Sequence, residues 1–145
     1  MKCPLLLDAN AMISLFEGSD PELERALCSA EELVVPVVAY AEVVAGTEMD
    51  TKRAKMTREA LLMLLATPNT RLLPVSEATV RHYSKTFNQL RKNGTPIPTT
   101  NDIWIAAVTL EVGGVLFTHD RHFLNIPMFD TIGLEDASSY SSENR

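Results

Sequence analysis

The chain has 145 residues, 46% hydrophobic and 22% charged, with no biased tract in its body, which predicts one compact domain able to bury a core. A formal net charge of −6 and a pI of about 5.0 exclude a protein that grips nucleic acid chiefly through bulk positive charge. They leave room for a metal enzyme, because carboxylates reserved for cations count as negative until the ions arrive.

The elements follow in chain order. The opening MKCPLLLDAN holds an apolar run too short for a signal peptide or a membrane span, and residues 4–7 read as a first strand. A helix follows over 10–17. Asp20-Pro21-Glu22 then opens a second helix, with an Asp cap and proline at the first helical position. Residues 33–37 form a valine-rich strand, 39–45 a short helix closed by Gly46, and 51–65 a longer helix. A third strand over 71–75 leads to a helix over 77–92 ended by Asn93-Gly94. Thr95-Pro96-Ile97-Pro98 is a stiff connector. A helix over 101–112 closes at Gly113-Gly114, a fourth strand covers 115–118, and 128–132 reads as a fifth. This alternation predicts an α/β fold, a parallel sheet of four to five strands sandwiched between helices. One domain is expected over residues 1–134, with 135–145 a polar, frayed tail.

Cys3 and Cys28 have neither CxxC spacing nor a histidine cluster beside them. No zinc ribbon or disulfide framework is expected, and a reduced, cytoplasmic setting is.

In an open parallel sheet, function collects outside the carboxyl ends of the strands. Asp8 directly follows the first predicted strand, and Asp120 lies just past the fourth, in Thr118-His119-Asp120. Each taken alone reads as a helix N-cap. Glu42 is harder to dismiss, being the sole charged residue from Leu33 through Thr47. An ionised carboxylate in such surroundings is costly unless paired, metal-bound or turned to water. Asp102 sits in a first helical turn, where the dipole favours negative charge, and heads a stripe through Ala106 toward Thr109 and Leu110.

Gathering four acids needs a counter-ion, since two unit charges about 5 Å apart repel by roughly 3 kcal/mol at an effective dielectric near 20. With only oxygen donors, the expected ion is Mg²⁺ or Mn²⁺. Such an ion serves phosphodiester hydrolysis.

The motifs Leu6-Leu7-Asp8-Ala9-Asn10, Ala41-Glu42-Val43 with Gly46, Asn101-Asp102-Ile103-Trp104-Ile105-Ala106-Ala107 and Thr118-His119-Asp120-Arg121-His122-Phe123 together resemble the PIN domain. Within that family the chain resembles the VapC-type toxin ribonucleases of toxin–antitoxin pairs, over residues 5–132. The resemblance implies a three-layer α/β/α sandwich and cleavage of RNA by a metal-activated water. Carried over, Asp8 and Asp102 look like the main metal ligands, Glu42 and Asp120 complete the pocket, and Asn10 and Thr118 steady the carboxylates. A homodimer and an antitoxin partner are implied too. Ala9 and Tyr40 depart from the hydroxyl residues frequent at those places, which bears on packing or substrate fit.

Other groups are weaker candidates. Residues 61–65 read as core before they read as a groove for a partner. Lys52, Arg53, Lys55 and Arg58, like Arg91 and Lys92, read first as solvated helix faces, leaving Arg121 as the foremost candidate for an RNA backbone contact. His82, His119 and His122 lack zinc-site spacing. Two rival readings remain: a catalytically silent PIN-like binding module, and a phosphotransfer domain with Asp8 as phosphoacceptor. The second lacks the acid it wants two residues on, where Asn10 stands.

Overall fold

A computed structural model describes residues 3–97 and 99–134. The expected tail over 135–145, like Pro98 of the connector, lies outside the described residues.

The first strand, β1 (Leu5–Leu7), has three leucines with no solvent exposure. Successive strand side chains point to opposite faces, so burial of all three requires cover on both sides of the sheet. Next come α1 (Ala9–Glu17), α2 (Pro21–Ser29), β2 (Leu33–Pro36), α3 (Val37–Gly46), α4 (Lys52–Ala66) and β3 (Thr70–Leu73). The chain continues through α5 (Glu77–Lys92), α6 (Thr100–Val112), β4 (Val115–Phe117), a 3-10 turn (Arg121–Asn125) and β5 (Thr131–Ile132). The expected third strand begins one residue early and stops at Leu73, where Pro74 follows with no amide hydrogen to extend a ladder. The fifth strand is only two residues long.

All pairings are parallel, in the order β3-β2-β1-β4-β5. The chain thus builds outward from β1 to β3, then crosses back to lay β4 on the other side of β1. That reversal puts the topological switch point between the carboxyl ends of β1 and β4, where such sheets leave a crevice. α6 runs back to feed β4, so its N-terminus lies at the same end of the sheet.

Local chemistry fixes the helix starts. Side chains of Asp8, Asp20, Thr51, Ser76 and Thr99 each accept an amide hydrogen from the first turn of the following helix. At α5 the Ser76 and Thr79 hydroxyls also donate to Glu111 of α6, at 2.8 and 2.7 Å. Gly114 is needed for close approach: a Cβ there would stand 2.4 Å from Leu6 Cδ1 and 2.8 Å from the Pro4 carbonyl.

The stretch 61–65 divides. Leu61 is buried and Leu64 and Leu65 pack against the core, as expected, but Leu62 and Met63 are 69% and 74% exposed. Five consecutive residues sweep more than one turn of a helix, so an unbroken apolar run must send some members outward. Among the described residues no helix is long and apolar enough to cross a membrane.

Candidate active site

Asp8 leaves β1 as the N-cap of α1, its Oδ1 accepting the Ala11 amide hydrogen at 2.8 Å. The capping role expected for it is real, and it leaves Oδ2 free for a second partner. That partner is Thr118, whose hydroxyl donates to Oδ2 at 2.5 Å. Asp8 is only 7% exposed and Thr118 fully buried. Burial pushes the Asp8 carboxyl above its usual range; the hydrogen bonds from Thr118 and Ala11 oppose this, and the charges of Asp102 and Asp120 reinforce it.

Asp120 caps the 3-10 turn, accepting the His122 amide hydrogen at 2.9 Å, so its capping role is also real. Its own amide donates to the Thr118 hydroxyl at 3.0 Å. Asp102 stands in the first turn of α6, its amide donating to the Thr99 hydroxyl at 3.4 Å. Its expected stripe is buried through Ala106 and Thr109. Burial raises the Asp102 carboxyl, Thr99 lowers it, and the Asp120 charge adds to the rise.

Glu42 lies on the open side of α3, so part of its isolation in the sequence reflects a wet helix edge. Its pKa is nevertheless raised, by burial first and then by Asp102, with a hydrogen bond from Asn101 opposing and Asp8 adding to the rise. Asn10 and Glu42 line one cavity of about 390 Å³, together with Ala9, Gly46, Met49 and Arg53. Asn10 is exposed there, beside Glu42. Asp8, Asp102 and Asp120 do not line that cavity, so of the four acids Glu42 alone stands on its wall.

The four acids form one electrostatic group. Asp8 feels Asp102 and Asp120, Glu42 feels Asp102 and Asp8, and Asp102 feels Asp120. Among the described residues, no three His, Cys, Asp or Glu side chains converge closely enough to enclose an ion by themselves. The donor set nonetheless fits a small hard cation, being all oxygen and mutually repelling. A cation that keeps several of its own waters suits acids that are near but not converged.

Two partnerships escaped sequence reasoning because their members are far apart or were set aside. His119 offers both ring nitrogens to acceptors, Nδ1 to the Gly133 carbonyl at 2.9 Å and Nε2 to Asp20 Oδ2 at 2.7 Å. Both acceptors are met at once only when the ring carries two N–H groups, so the protonated ring is the form this arrangement favours. Its pKa is raised by the Asp20 hydrogen bond first, against burial, with Gly133 adding to it. Gly133 also needs its missing side chain: at φ +103, a Cβ would meet the Thr118 carbonyl at 2.6 Å. The other pair joins His122 Nδ1 to Asp120 Oδ1 at 2.7 Å.

Of the basic residues, Arg53 pairs with Glu17 at 2.5 Å and Arg58 donates to the Thr47 carbonyl, while Lys52, Lys55 and Arg121 are exposed.

Comparison with known proteins narrows the readings. The family model of the PIN domain matches residues 5–127. The chain belongs to the PIN-domain family. That membership removes the phosphotransfer reading. This PIN domain is 31% identical over 118 residues to ribonuclease VapC1 of Haemophilus influenzae strain R2866, covering 79% of this chain and 85% of the relative. Its fold superposes on VapBC-1 from nontypeable Haemophilus influenzae with a TM-score of 0.74 and 28% identity, covering 89% and 96% of the two chains. It also superposes on VapBC-5 from Mycobacterium tuberculosis, a member of the VapBC family of toxin–antitoxin systems, with a TM-score of 0.68 and 25% identity over 90% and 98%. The sandwich expected from the sequence, with its central parallel sheet, is the fold of these structures.

Proposed function

We propose that this PIN domain is a metal-dependent endoribonuclease, the toxin of a toxin–antitoxin pair, acting in the cytoplasm as a homodimer. The observation that carries the reading is the electrostatic coupling of Asp8, Glu42, Asp102 and Asp120 at the switch point of the sheet. Kinship with a ribonuclease and with toxin–antitoxin complexes supports the substrate class and the partner.

In this reading Asp8 and Asp102 hold Mg²⁺ or Mn²⁺, directly or through water, and Glu42 and Asp120 complete the acidic pocket. When bound, the ion would neutralise charge on a phosphoryl oxygen and lower the pKa of a water, so that the water gives up a proton and becomes a better nucleophile. The chain's own groups do the positioning. Thr118 holds Asp8 through Oδ2 and Asp120 through its amide, so the two acids keep a fixed relation. Asn101 steadies Glu42, and Thr99 steadies the start of α6. Glu42, facing the open cavity with Asn10, orients the attacking water and takes up its proton. Exposed Arg121, next to Asp120, meets the RNA backbone, which makes binding weaken as salt rises.

The test is cleavage of a mixed RNA pool by protein freed of any bound partner, with Mg²⁺ or Mn²⁺ and with EDTA. Cutting that stops in EDTA and returns on adding metal supports the reading. Absence of cutting with every divalent ion tried would favour a silent PIN-like binding module instead.

A further inference from the structure

Asp120 is gripped more tightly than a helix cap needs. Its amide donates to the Thr118 hydroxyl at 3.0 Å, and its Oδ1 accepts two hydrogens, from the His122 backbone at 2.9 Å and from His122 Nδ1 at 2.7 Å. The backbone contact alone closes the turn. The ring contact is additional, and it comes from a side chain that is half exposed and contributes little to the core. The ring also lies near enough to Asp102 for a charge on it to favour that carboxylate.

We infer that His122 is a positioning residue for the acidic site: its Nδ1–H fixes Asp120 by occupying Oδ1, leaving Oδ2 as the oxygen offered to a divalent ion. The inference rests on the metal-site reading given above. Its logic is that of outer contacts in metal sites generally. A ligand carboxylate is effective when another group fixes its rotamer, and removing such a group typically costs about 10–100-fold in metal affinity or activity. Nδ1 must carry hydrogen to donate to a carboxylate, so Nε2 is the nitrogen turned away from Asp120.

The chemistry offers a clean test, because truncating the ring leaves the His122 backbone hydrogen that closes the turn. His122→Asn keeps a donor near the Nδ1 position, whereas His122→Gln places its amide nearer Nε2. Mn²⁺ affinity is measured on the RNA-free protein by water proton relaxation or calorimetry, with thermal melts in EDTA to confirm folding. His122→Ala and His122→Gln are expected to bind Mn²⁺ about tenfold more weakly or worse, while His122→Asn stays within about threefold of the parent. Excess Mn²⁺ then restores RNA cutting in His122→Ala. Wild-type affinity in His122→Ala, or rescue by Gln as good as by Asn, overturns the inference. Asp8→Asn is the control: if it loses Mn²⁺ while His122→Ala does not, only the inference falls. If neither variant changes binding, the metal-site reading falls and takes the inference with it.

Discussion

The Thr118 hydroxyl donates to Asp8 Oδ2 at 2.5 Å, joining two residues 110 positions apart across the crevice between β1 and β4. The same oxygen accepts the Asp120 amide hydrogen, so one buried hydroxyl ties two of the four acids together.

Replacing Thr118 separates that tie from simple packing. Thr118→Val keeps the shape and removes the hydroxyl, leaving Asp8 one hydrogen bond short in a buried place. The expected cost is about 1–3 kcal/mol of stability, with RNA cleavage down roughly 10–100-fold. Thr118→Ser should retain most of both. Chemical denaturation and cleavage rates on the two variants check this.

The raised carboxyls make a signed prediction about pH. Asp8, Glu42 and Asp102 hold protons more tightly folded than unfolded. Between the ordinary carboxylate range and their raised values the native state therefore binds more protons, and these groups lower stability as pH rises. Their penalty is complete, and constant, once pH exceeds the raised values. In EDTA, the stability gained by Asp8→Asn over the parent should grow from acid to neutral pH. Mn²⁺ at about a hundred times its Kd should add roughly 2.7 kcal/mol to the parent at neutral pH and much less to the variant. Melting curves across pH, with and without Mn²⁺, read this directly.

The bridge from His119 to Asp20 and Gly133 behaves oppositely. Its raised histidine stabilises the fold fully below the unfolded value and loses that contribution as pH climbs through the folded one. For Asp20, burial raises the pKa but the His119 and Leu23 hydrogen bonds outweigh it, so its lowered carboxyl loses its contribution only in acid, as pH falls through the folded value. The ring is half exposed, so His119→Gln should cost at most about 1 kcal/mol below the histidine pKa, and less above it. An NMR titration of the His119 ring in the parent should show its pKa above the ordinary histidine value, and Asp20→Asn should bring it down.

Much of this was legible from the chain, for reasons that differ between elements. Leu5-Leu6-Leu7 announced a strand because no polar residue interrupts it, and Asp8 followed at the strand's carboxyl end. The caps at Asp20 and Gly113 rest on local hydrogen bonds, and local sequence specifies those. His119 and Asp20 are 99 residues apart, and nothing near either one names the other. The steadying of Glu42 by Asn101 was hidden likewise, since it depends on how α3 packs against α6. Leu62 and Met63 misled through composition, because helix geometry sends part of any apolar run to the surface.

The proposed metal-dependent cutting site rests on the four coupled acids acting together. Asp8→Asn and Asp102→Asn test it most directly, because each removes one charge without removing bulk, and Asn at position 8 still caps α1. The measurement is RNA cleavage with Mn²⁺ by each variant, beside its melting temperature in EDTA. Both variants are expected to fold, as stable as the parent or more so, with cleavage lost. Wild-type cutting by either variant would contradict it.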